Sequence, residues 1–158
     1  MPRGRMLVVG AVVVAAAAVA SGVAAGRAGD EPVVVVRDRG GSTVARLALP
    51  GDGRFALAYR HSYYRAPAQE RFARDGRGGF RLRALASPRS AVLDDYAVEG
   101  RRGRDGRWLT LTPRTAPRYR RLSLIATDTG RRTLVVGARR VPLYGGGARH
   151  LTLAVEDE

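Results

Sequence analysis

The sequence predicts an all-β protein: a small antiparallel sandwich or barrel of about 8–10 short strands, preceded by one N-terminal hydrophobic helix. Three observations carry this. From Val33 onward, short apolar and β-branched runs are separated by Gly, Pro and Asp turn signals every 8–12 residues or so. No long segment of that region shows the helical apolar period. The one long uncharged run lies before it, at residues 6–25.

Taken in order, residues 33–37 form a β-branched run closed by Asp38-Arg39-Gly40-Gly41, and residues 43–49 end at Pro50-Gly51-Asp52-Gly53. Residues 55–63 and 68–74 read as a hairpin. A turn at 75–79 leads to 80–85, where Phe80, Leu82 and Ala84 alternate with arginines. Residues 86–106 are the least regular, with one predicted strand at 92–98 and then a loop rich in Gly and Arg. Strands resume at 108–112, 119–126, 133–136, 139–143 and 150–155.

Residues 1–25 predict a signal peptide or a membrane anchor. Arg3 and Arg5 precede the uncharged run, which as a helix spans ~30 Å, about the hydrocarbon thickness of a bilayer. Basic residues placed first keep the start inside and deliver the remainder outside. Ala18-Val19-Ala20 fits the small-x-small cleavage pattern, so cleavage and anchoring by residues 6–25 both stay open. Residues 26–32 then read as a linker and 33–156 as a single β domain. The expected location is exported, periplasmic or at the cell surface, which disfavours nucleic-acid and ATP-dependent functions.

All 28 basic residues are arginine. Complete exclusion of lysine reads as the bias of a GC-rich genome, so the net charge of +14 is discounted as a sign of nucleic-acid binding. Residues 26–158 hold 26 arginines against 14 acids, a net +12, which suits anionic solutes or lipid headgroups. The absence of cysteine excludes disulfides, thiolate metal sites, cysteine catalysis and a lipoprotein anchor.

The stretch FALAYRHSYYRAPAQERF at residues 55–72 holds the candidate site. Phe55, Leu57, Tyr59, His61 and Tyr63 share one face of an extended strand. A four-residue loop at 64–67, ending in a proline that cannot donate to the ladder, sets Tyr63 opposite Ala68, His61 opposite Glu70 and Tyr59 opposite Phe72. The expected result is an imidazole–carboxylate hydrogen bond under aromatic cover. Such a pair is a structural polar contact, or it binds a carboxylic ligand together with Ser62, Tyr59, Arg60 or Arg65, or it orients a base. Ser62 and His61 point to opposite faces, so no nucleophile–base pair is expected, nor any metal or cofactor. Asp94 and Asp95, being adjacent, read as exposed acids, His150 as solvated, and Gly145-Gly146-Gly147 as a hairpin loop. Arg101, Arg102, Arg104 and Arg107 read as a basic loop near Trp108.

The block YRHSYYRAPAQERF resembles the Tyr-x-His-Ser-(x)4-Pro-(x)2-Glu-x-(Phe/Trp) signature of a bacterial exported family, domain of unknown function 1850, through Tyr59, His61, Ser62, Pro67, Glu70 and Phe72. The similarity extends over roughly residues 33–156, including LVVGARRVPLYGGGARHLTLAVE. Tyr63 and Tyr64 depart from the family pattern, as does SPRSAVLDDY where relatives carry glycines. Genes of that family commonly lie beside TRAP transporters of the TAXI type. The resemblance therefore implies a non-enzymatic accessory to uptake of organic anions, with transporter subunits or the anion as partners. The alternative is a structural or envelope-interaction protein without a small ligand.

Overall fold

β-branched side chains fit an extended, pleated backbone, and the first strand starts at the valine run. The computed structural model describes residues 31–76 and 78–157; the predicted leader or anchor at 1–25 lies outside the described residues. The described chain is all-β, with twelve strands and one short helix in two antiparallel sheets. β1 (Val33–Asp38), β2 (Thr43–Ala48), β9 (Arg121–Ala126) and β12 (Arg149–Glu156) form the smaller sheet in the order β2-β1-β12-β9. The larger sheet runs β11 (Arg139–Pro142), β10 (Thr133–Val136), β3 (Arg54–Arg60), β4 (Pro67–Arg74), β5 (Phe80–Ser87), β7 (Trp108–Pro113), β6 (Gly100–Asp105), with the two-residue β8 (Arg118–Tyr119) paired to β5.

One apolar cluster draws on both sheets: Val34, Val36, Leu151 and Leu153 from the smaller, Phe55, Leu57, Phe72, Phe80 and Leu134 from the larger. At its centre the rings of Phe55 and Phe72 stack at 5.3 Å, and Phe80 meets both edge-on at 5.4 and 5.6 Å. Both edges of the larger sheet are arginine-rich, Arg101, Arg102 and Arg104 on β6 and Arg139 and Arg140 on β11. Like charges along an open edge repel a second copy that would pair with it.

Three expectations for the irregular regions are corrected. Residues 92–98 do not form a strand; Ser90–Asp95 is a helix, α1, whose Val92 and Leu93 are buried. The six residues are too short for a helical period to register in sequence, and Ala91 and Leu93 suit a helix well. Arg101, Arg102 and Arg104 of the basic loop lie instead on the edge strand β6, every residue of which is exposed, so no apolar alternation betrays it; Arg107 lies in the turn that follows. The predicted strand 119–126 is split at Arg120, its first part joining the larger sheet and its second the smaller.

Gly100 opens β6 so close to its neighbour that a Cβ would lie 2.2 Å from the Thr112 carbonyl oxygen. Backbone cannot yield as a side chain does. Gly100→Ala is therefore expected to cost about 1–3 kcal/mol, with early hydrogen exchange at β6 amides. Unaltered exchange there would contradict this close approach.

Candidate functional site

The β3–β4 hairpin has a different register from the predicted one. Arg60 pairs with Pro67, Tyr59 with Ala68, Leu57 with Glu70 and Phe55 with Phe72. The loop is thus the six residues 61–66, closed by the His61 amide donating to the Ala66 carbonyl at 2.8 Å. Proline suits this place because its missing N–H is needed only where a ladder continues. A shift of four positions preserves the alternation, so Glu70 stays on the face of Tyr59. The predicted His61–Glu70 cross-strand pair does not form, however, because His61 has left the strand.

Each takes another partner. His61 Nδ1 accepts from the Tyr64 amide at 3.4 Å, which leaves the ring proton on Nε2, and Nε2 lies 3.2 Å from Asp95 Oδ2. Glu70 faces Arg132, whose Nη1 is 3.8 Å from Oε2. That guanidinium also rests 4.9 Å above the Tyr59 ring. Both members of the Glu70–Arg132 pair are about four-fifths covered. Burial pushes the Glu70 carboxyl up from its ordinary value, and the charge of Arg132 opposes this.

Packing of α1 explains how the two halves meet. Val92 joins Ala66 and Ala68 in a small apolar cluster flanked by Tyr59, Tyr64 and Tyr96. The helix thereby carries Asp95 and Tyr96 onto the loop. Ser87 fixes the same corner: its hydroxyl donates to the Pro67 carbonyl at 2.8 Å and accepts from the Arg89 amide at 3.1 Å. On the other side, the Arg60 amide donates to the Gly130 carbonyl at 2.7 Å, tying the hairpin to the turn that precedes Arg132.

The result is a cleft of about 350 Å³ at the end of the larger sheet, lined by Tyr59, Arg60, His61, Ser62, Glu70, Tyr96 and Arg132 among others. Ser62 forms its exposed lip. The Tyr96 hydroxyl is buried and has no hydrogen-bond partner among the described residues. Burial pushes its pKa up to about 12, so it keeps its proton and can only gain by donating it to an acceptor. Among the described residues no three of His, Asp and Glu converge to ligate a metal ion.

Of the candidate residues, Tyr59, Arg60, His61, Ser62 and Glu70 reach this cleft. Arg65 and Pro67 line a neighbouring groove, and Phe72 belongs to the core. Asp95, Tyr96 and Arg132 were not legible in the sequence. Asp95 read as a surface acid because the helix that carries it is so short, and nothing local distinguishes Arg132 from the other arginines. Fold and cleft together define an all-β domain with a polar, mixed-charge cleft at one end of a sheet. Comparison with protein-family models, curated proteins and solved structures finds no match to this chain.

Proposed function

We propose that this chain is a non-enzymatic, extracytoplasmic β-domain that binds a small organic anion and assists its uptake, as the resemblance to domain of unknown function 1850 and the TRAP association of that family imply. One observation supports the binding role above others. The Tyr96 hydroxyl, buried without a partner, shares a cleft with an Arg132 guanidinium held beyond hydrogen-bond distance of its carboxylate. A ligand carboxylate would accept from both, and charge-assisted bonds of that kind are among the stronger ones. A cleft of this size suits a small metabolite. The non-catalytic reading draws on His61, whose two ring nitrogens are both taken by protein groups, leaving neither to activate a nucleophile.

Calorimetric titration with succinate and with glutamate tests this. Tyr96→Phe removes an unsatisfied hydroxyl, so it should melt no lower than the parent while binding at least about tenfold more weakly. Equal affinity in the variant, or no binding of either probe by the parent, defeats the proposal. The association with transporter subunits is checked separately by co-purification from membranes.

The alternative, an envelope-interaction protein without a ligand, draws on two large apolar residues near the cleft, Tyr63 at 81% and Ile125 at 54% exposure. Glu70→Gln separates the readings: normal melting with lost uptake favours binding, whereas lost folding with no uptake defect of its own favours the structural role.

A further inference from the structure

On β3 and β4, Ala58, Arg60, Pro67 and Gln69 alternate with Leu57, Tyr59, Ala68 and Glu70, so the sheet has a second face behind the cleft. That face carries a groove of about 610 Å³. Its floor is made of Ala58, Gln69 and Thr133, neighbours across β3, β4 and β10. Five arginines line it, Arg60, Arg65, Arg107, Arg131 and Arg140, together with Trp108, and no acidic residue does. Arg107 lies 5.6 Å from the Trp108 ring. Among the described residues none of Arg65, Arg131 and Arg140 is ion-paired with a carboxylate.

The backbone holds two of these arginines where an arginine is costly. Arg65 has φ +50° and Arg131 φ +49°, the left-handed region that glycine occupies without strain. Both conformations are tied down. The Arg65 carbonyl accepts from Arg60 Nε at 3.2 Å. The Arg131 amide donates to the Thr127 carbonyl at 2.9 Å, and its own carbonyl accepts from the Thr133 hydroxyl at 3.1 Å. Folding gains nothing from converging like charges on strained turns; a bound anion relieves that repulsion.

We propose that this groove is a second ligand site, distinct from the cleft, for a small solute carrying two or more oxyanion groups. Guanidinium forks match carboxylate and phosphate geometry, and several of them around one concavity select charge number over shape. Two or more charged groups are needed to engage arginines arriving from three separate elements: the 61–66 loop, the turn before β10 and the edge strand β11.

Trp108 is the one tryptophan of the chain and stands in the groove, so its fluorescence reports occupancy. Inorganic pyrophosphate is the probe. It should give a saturable change that sodium chloride at equal ionic strength does not reproduce. The double variant Arg131→Gly, Arg140→Gln replaces neither a cleft-lining nor a core residue. Glycine at position 131 removes strain, so folding should be kept while pyrophosphate binds at least about tenfold more weakly. The same response in the variant, or mimicry by chloride, overturns the site. So does a parent that ignores pyrophosphate yet sediments with phosphatidylglycerol vesicles, which would make the face a membrane surface. Tyr96→Phe replaces no groove residue and should leave the pyrophosphate response unchanged, so failure here leaves the cleft proposal standing and the reverse also holds.

Discussion

Phe80→Ala is expected to remove about 3–5 kcal/mol of stability, a large share of the 5–15 kcal/mol typical of a folded domain. Phe80 is fully buried, and its ring touches Phe55, Phe72 and Tyr119, the last stacked at 5.5 Å. Those partners come from β3, β4 and β8, so collapse of one cannot fill the void without shifting the others. The cost therefore contains lost transfer energy plus a lasting cavity. Urea unfolding should show a lower midpoint with the slope unchanged, since the exposed surface is nearly the same. A loss below about 1 kcal/mol would mean that the aromatic cluster is not the centre of the core.

Arg132→Met is the second large effect, and its size should depend on pH. Methionine keeps apolar contact with the Tyr59 ring but removes the cation facing Glu70. Burial already raises the carboxyl's folded pKa above its unfolded one. The native state therefore holds the proton more tightly, and stability falls as pH climbs from the ordinary carboxylate value through the raised folded value. Losing the guanidinium raises the folded value further and deepens that fall. At neutral pH the variant should be about 1–3 kcal/mol less stable than the parent, with most of the difference gone in acid where Glu70 is protonated in both states. Adding Glu70→Gln should restore most of the neutral-pH loss, because a buried charge no longer lacks its partner. Equal destabilisation in acid and at neutral pH, or no rescue by the double variant, would refute the electrostatic account.

How far the site could be read in advance is clearest at the hairpin. The period-two pattern of Phe55, Leu57 and Tyr59 put Glu70 and Tyr59 on one face, and the structure keeps them there. The loop is longer than the pattern predicts, because its length is set by the His61–Ala66 backbone bond and by the contact of Ala66 with Val92 of α1. Neither leaves a local mark. The carboxylate beside His61 is that of Asp95, 34 positions away, and not the cross-strand Glu70 that the pattern predicts. His150, expected to be solvated, is exposed on β12.

Local chemistry alone determined that this chain is built of antiparallel strands. Alternating apolar positions and glycine- or proline-marked turns act between near neighbours, and they survive in any arrangement of sheets. What stands beside the histidine, which arginine offsets Glu70, and that five others gather behind the sheet were decided only when α1, the 127–132 turn and both hairpins packed together. Side chains that meet through such packing carry no spacing rule, because the distance between them is set by the folded surfaces and not by the chain.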